Sequence, residues 1–289
     1  MQGTVDGFSY GLVTPVAAFL TACLGAALGL RCTTRSLRAH RAPKAGWLAL
    51  GATSIGSGIW TMHFIAMVGF SIERTTMSYD RPLTFASLAV AVVMVGIGIF
   101  LVGYRGATRM ALVTGGTVTG LGVASMHYLG MAGMRFEGEF AYDTFTVTLS
   151  VVIAVVAATA SLWAAVSIHG FLPSLGASVV MGVAVSGMHY TGMAALRVHL
   201  HPAALPGAPG DSPTSLLLPM MIGPGCFLLL AGVIVLFDPL AVTGGPGGRD
   251  RRPGHAPRSP GQVAAIPFQR RRASAGTLAG KGYRRPRNH

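Results

Sequence analysis

Three histidines of this 289-residue chain stand in matching surroundings. His63 lies in GSGIWTMHFIAM from Gly56, His127 in GLGVASMHYLGM from Gly120, and His189 in GVAVSGMHYTGM from Gly182, with separations of 64 and 62 residues. A methionine follows each histidine by four residues, at Met67, Met131 and Met193, and so shares its helix face. A second methionine precedes each directly, at Met62, Met126 and Met188, about 100° round the helix. Imidazole nitrogen and thioether sulfur suit a soft transition ion, and Cu(I) is the natural candidate. Hard cations are poorly matched, because no carboxylate accompanies the layer. An aromatic residue adjoins each histidine, at Phe64, Tyr128 and Tyr190, in position to support a ligand. Gly56 and Gly58, Gly120 and Gly122, and Gly182 with Ala184 precede the histidines, where small residues let helices in lipid approach closely.

The elements that position these residues are apolar runs of the length needed to cross about 30 Å of hydrocarbon. Seven recur, at 9–30, 45–70, 83–103, 110–134, 144–168, 175–197 and 215–237. The histidines fall in alternate runs, so the repeat is one helical hairpin, and three hairpins plus one helix account for all seven. The expected fold is all-α, a polytopic membrane domain over 1–240. Each histidine lies seven or eight residues before the end of its run, roughly 10 to 12 Å deep at 1.5 Å per residue, which makes one layer if the three helices are neighbours. An ionisable side chain at that depth is expected to face the bundle interior.

Composition agrees: 51% of the residues are hydrophobic and 11% charged, against about 25% charged in a soluble domain. The formal net charge of +13 is concentrated in loops and tail. Arg31, Arg35, Arg38, Arg41, Lys44, Arg105 and Arg109 fall on one side with a tail holding eleven more Lys and Arg, against Arg74, Arg81, Arg135 and Arg197 on the other. The positive-inside rule then places the N-terminus outside and the C-terminus in the cytoplasm, as for a multi-pass protein of the cell membrane. Residues 241–289, rich in Gly, Pro and Arg, read as a disordered basic tail attracted to anionic lipid, with no nucleic acid expected and no room for a folded effector domain. Cys23, Cys32 and Cys226 lack the spacing of a zinc site and read as packing or lipid-facing residues. No acid/base pair, activated nucleophile or phosphate-cradling loop stands out, so enzyme chemistry is not expected.

The triplicated motif resembles the MHYT family of bacterial integral-membrane sensors, whose tetrapeptide stands intact as Met188-His189-Tyr190-Thr191 and in altered form as Met62-His63-Phe64-Ile65 and Met126-His127-Tyr128-Leu129. The resemblance covers residues 9 to about 237. It implies a seven-span domain that senses oxygen, carbon monoxide or nitric oxide through copper held by the His and Met residues, and a cytoplasmic signalling partner, since relatives often carry a diguanylate cyclase or phosphodiesterase module. Phe64 lacks the hydroxyl of the other two copies.

Two other chemistries fit the same residues. A soft-metal transporter would use the layer as a transient stop, yet the other halves of the spans hold no comparable ladder beyond Met94, Met110 and Met181. Haem would need two axial ligands, which leaves a third equal histidine without a role. His199 and His201 read as an ordinary hydrated pair in an outer loop. His40, His169, His255 and His289 lack ligand partners nearby in sequence, and Trp47, Trp60 and Trp163 read as interfacial or packing residues.

Overall fold

The computed structural model describes residues 5–6, 10–38, 44–72, 77–168, 170–200 and 213–237, all within one compact unit, residues 1–244. The basic tail expected at 241–289 lies outside the described residues. Seven helices are present: α1 Val13–Arg38, α2 Lys44–Val68, α3 Arg81–Arg105, α4 Arg109–Ala132, α5 Thr144–Ser167, α6 Phe171–Ala194 and α7 Pro213–Leu236. Each expected apolar run has its helix. The largest boundary difference is at α1, which continues to Arg38 rather than stopping at 30. Hydropathy marks where lipid contact ends, whereas the helix backbone propagates through Arg31 to Arg38 because no glycine or proline interrupts it. Arg35 is held there over the Trp47 ring, 5.5 Å from its centroid.

The connections are not all irregular, which corrects the all-α expectation. Strands β1 Val5–Asp6, β2 Ser71–Ile72, β3 Ser78–Tyr79, β4 Met134–Arg135, β5 Gly138–Tyr142 and β6 Leu196–Leu200 form three antiparallel ribbons, β1 with β2, β3 with β4 and β5 with β6. Each ribbon joins the two ends of one hairpin, so the repeating unit is strand–helix–helix–strand. Strands of two to five residues carry too little periodicity to be read from sequence. They also shorten the histidine helices, which end at Val68, Ala132 and Ala194. The layer therefore lies five residues from the helix ends, about 7 to 8 Å, and nearer the ribbons than expected.

The six helices of the three units pack as a closed ring in chain order, with α6 returning to α1; α7 packs on α2 and α1. The paired small residues of the motifs act in this closure, and their glycines do two different jobs. A Cβ on Gly56 would stand 2.8 Å from Val92 Cα on α3, and one on Gly120 would strike the corresponding Val155 backbone on α5. The first glycine thus joins one unit to the next. A Cβ on Gly58 would lie 2.7 Å from Gly25 Cα on α1, and one on Gly122 would strike Met94 on α3. The second glycine thus closes its own hairpin. Gly182, opposite Cys23 of α1, completes the first set.

Five helices are long and apolar enough to cross a membrane, namely Val13–Leu37, α3, α5, Leu172–Ala194 and Leu217–Leu236. Helices α2 and α4 are as long but less apolar. The reason is their surroundings: from Gly51 to Met67 α2 is buried on nearly every side, so protein rather than lipid is its solvent.

Candidate metal centre

The ring turns one face of α2, α4 and α6 towards a common axis, and the three histidines meet on it. Nδ1 of His63 lies 3.1 Å from Nδ1 of His189 and 3.2 Å from Nδ1 of His127, and the last two are 3.3 Å apart. The rings stand edge-to-face, with centroids 4.9, 5.0 and 5.1 Å apart. All three residues are at most 2% exposed. They are the one group of three potential ligands from His, Cys, Asp and Glu among the described residues.

This arrangement is poorly satisfied by hydrogen bonding alone. A neutral imidazole carries its proton on one nitrogen only, so a triangle of Nδ1 atoms cannot have every member both donate and accept. With the protons on Nε2, three lone pairs converge on one point. A triangle of side 3.2 Å has its centre about 1.85 Å from each corner, close to the ~2.0 Å of a metal–imidazole bond. Nε2 of His63 and Nε2 of His127 are buried without a hydrogen-bond partner, so nothing in the protein draws the rings outwards. The donor set and its span fit a bare transition ion bound through three Nδ1 atoms.

Two of the rings are seated by residues that sequence reasoning did not single out. A Cβ on Gly130 would lie 2.7 Å from His63 Nε2, and one on Gly192 would lie 2.5 Å from His127 Nε2. Each of these imidazoles therefore reaches across to the next histidine helix, onto the small residue three positions after that helix's own histidine. The corresponding position in the first copy is Ala66, which is buried. The signal was present as the small residue before the second methionine in all three copies.

The six motif methionines pack in the apolar cluster around the imidazoles, with Met62, Met67, Met126, Met131 and Met188 buried and Met193 half-buried. The neighbouring aromatic rings stack edge-on to their histidines, Phe64 at 4.7 Å, Tyr128 at 4.8 Å and Tyr190 at 5.0 Å between centroids. Tyr128 hydrogen-bonds the Ser150 hydroxyl of α5 at 2.7 Å. The equivalent serine on α3 is Ser87, and there Trp60 Nε1 donates to Ser87 Oγ at 3.0 Å. Trp60 packs on Phe64, with centroids 4.6 Å apart. An indole one turn earlier thus takes the serine that a tyrosine hydroxyl holds in the second copy. Trp60 is fully buried, Trp47 half-buried and Trp163 exposed.

At the ribbon end, Asp80 and Asp143 cap α3 and α5. The Leu83 backbone N–H and the Arg135 guanidinium hold the Asp80 carboxyl below its ordinary range; the Thr146 hydroxyl and backbone N–H do the same for Asp143. Burial, with Tyr128 nearby, pushes the Tyr142 hydroxyl up to about 12. His199 is exposed on β6, beside Arg197, Asp143 and Tyr142 on a surface pocket. His40, His169, His201, His255 and His289 lie outside the described residues. Cys32 is buried, Cys23 half-buried and Cys226 exposed.

A family profile described as "Bacterial signalling protein N terminal repeat", MHYT, matches residues 56–115, 120–178 and 182–210. The chain belongs to the MHYT family. Each matched MHYT segment begins at the glycine that opens a histidine motif, so the sequence repeat is cut inside the histidine helix while the ribbons close the structural unit between those cuts. The MHYT chain is 38% identical over 197 residues to the bifunctional diguanylate cyclase/cyclic di-GMP phosphodiesterase MucR of Pseudomonas aeruginosa, covering 66% of this chain and 29% of that protein. It is 33% identical over 216 residues to the cyclic di-GMP phosphodiesterase NbdA of the same organism, covering 71% and 27%. It is 35% identical over 161 residues to the signalling protein YkoW of Bacillus subtilis, covering 53% and 20%. The match therefore spans less than a third of each of these curated relatives. No solved structure matches. The protein is a membrane protein of a signalling family.

Proposed function

We propose that this chain is a seven-span sensor domain that holds copper on the Nδ1 atoms of His63, His127 and His189 and responds to a diatomic gas or to redox state. The convergence of three Nδ1 atoms within 3.3 Å of one another carries the reading. Bound there, copper supplies a redox-active centre with affinity for small gases. The chain's own contribution is to seat each ring against the next helix, exclude water, and offer the motif methionines as further soft donors. Because the ligands come from three different units, a change in coordination is shared by α2, α4 and α6, and the ring transmits it. Helices α2 and α4 cross the membrane as members of that ring, with the N-terminus outside and the basic tail in the cytoplasm on anionic lipid.

The partner is a cytoplasmic signalling module, and the names of MucR and NbdA make cyclic di-GMP turnover its chemistry. Nitrogens this close favour a single ion over a porphyrin held between two of them. A relay of donors along the axis, which transport would require, is not suggested by the apolar lining beyond the layer. The test is metal analysis of purified protein: His127→Ala and His189→Ala are each expected to lower copper stoichiometry, and unchanged copper in both removes the site.

A further inference from the structure

A second feature lies on the same axis. Beyond the histidine layer, on the side away from the ribbons, the ring encloses a cavity of about 50 Å³. Ile59, Val123 and Val185 line it, each four residues before its histidine, hence about 6 Å further along the axis. Ile55, Thr119 and Met181 line it one turn further on, about 12 Å from the layer. Matching positions from all three copies line one cavity, so it is coaxial with the triad. Met188, adjacent to His189, also lines it and bounds it on the side of the histidine layer.

The space has a cause in the sequence. The corresponding lining position is Val95 on α3 but Ala158 on α5, and Ala154, Ala157 and Ala165 keep the α5 wall equally shallow. The facing α6 residue is Ala184. Among the lining hydroxyls, Thr33 donates to Gly29 O and Ser161 to Ala157 O, and Thr119 Oγ1 has no partner. No charged side chain lines the cavity. A space with so few polar partners is a poor site for water, which needs two to four, whereas dry apolar cavities take up molecules such as xenon or benzene. Its volume exceeds the roughly 10 to 15 Å³ one water requires and is well below the ~150 Å³ of a benzene-binding cavity.

We propose that this axial cavity is a binding chamber for one small, uncharged, apolar molecule of diatomic size, held on the axis beside the histidine layer. Its place in sensing rests on the gas reading above; its existence as a site does not. The β-branched walls from Ile59, Val123 and Val185 are stiff at χ1, so the chamber keeps its size instead of collapsing around the ligand.

Xenon is the probe, measured by ¹²⁹Xe NMR on purified protein in nanodiscs and by xenon-pressurised crystals, with copper content determined on the same samples. The expected result is one xenon on the axis between the histidines and Ile55, in copper-loaded and copper-free protein alike. Ala158→Leu is expected to weaken xenon binding at least about tenfold by filling the space, at unchanged copper stoichiometry. Val123→Ala, a milder change that enlarges the same space, is expected to strengthen it. Absence of axial xenon, or xenon binding indifferent to both substitutions, overturns the chamber. Loss of copper from wild-type samples that still bind axial xenon overturns the metal reading and leaves the chamber standing.

Discussion

Helices α2 and α4 differ from α3 and α5 in a way that runs against the usual reading of a membrane sequence. These two of the three motif helices are rich in glycine, serine and threonine and fall short of the hydropathy by which α3 and α5 qualify as spans. They are also the more enclosed: α2 is buried from Gly56 through Phe64, while α3 and α5 expose Phe85, Val93, Val152 and Val156. In lipid the apolar side chains belong on the outer wall, and the axis is free to hold imidazoles, small residues and hydroxyls. Two of the three histidine helices therefore fall below the hydropathy of a span, and only α6 reaches it.

The sharpest break of this contrast is steric. A Cβ on Gly120 strikes Val155 Cα, and backbone cannot swing aside. Gly120→Leu is expected to cost on the order of 3 kcal/mol and to open the α4–α5 seam, whereas Val156→Ala, at a site 63% exposed on the outer wall, stays within about 0.5 kcal/mol. Thermal unfolding in one detergent reads both. Equal midpoints for the two variants would show that the motif glycines are not packing determinants.

The next effect falls on the site rather than on the fold. Gly130 and Gly192 give room to the rings of His63 and His127, and a ring is the movable partner in each contact. Gly130→Ala is expected to displace an imidazole by a few tenths of an ångström and to weaken copper binding about tenfold, with unfolding shifted far less than in Gly120→Leu. Competition with a chromogenic Cu(I) chelator measures the affinity. Retained affinity together with a destabilised bundle would assign Gly130 to packing alone.

The histidine layer was legible in the sequence because type and spacing coincide: Met-His-aromatic three times, one hairpin apart, after paired small residues. The helices were legible to within a few residues as well, apart from the C-terminal end of α1, which runs on to Arg38. Three things were hidden. The ribbons are too short to show a two-residue period, and the seating of each ring on the following unit depends on the circular order of the helices, which no single segment encodes. The Trp60–Ser87 bond that stands in for the missing Phe64 hydroxyl joins residues 27 apart. That last case supports a smaller prediction. Tyr128→Phe removes the bond to Ser150 and is expected to cost about 1 kcal/mol, while Phe64→Tyr gains nothing because Ser87 already accepts from Trp60. A stabilising Phe64→Tyr would show that the serine has a lone pair and space to spare.

The smallest effect lies at the ribbon end, where α3 and α5 each begin on a capping aspartate. The carboxyls of Asp80 and Asp143 sit below their ordinary range when folded, through hydrogen bonds from Leu83 and Thr146 and, for Asp80, the Arg135 guanidinium 3.2 Å away. A carboxyl depressed by folding stabilises at pH above its unfolded value, near 4, and that contribution is lost as pH falls through the folded values. The Asp80–Arg135 pair adds little, because the arginine is 63% exposed and solvent screens it. The caps' share of stability in detergent should therefore be level from pH 7 to about 5 and decline below 4, and the double variant Asp80→Asn with Asp143→Asn should remove that share of the decline while keeping both caps. An undiminished acid decline in the double variant would move its origin away from the rim and into the bundle.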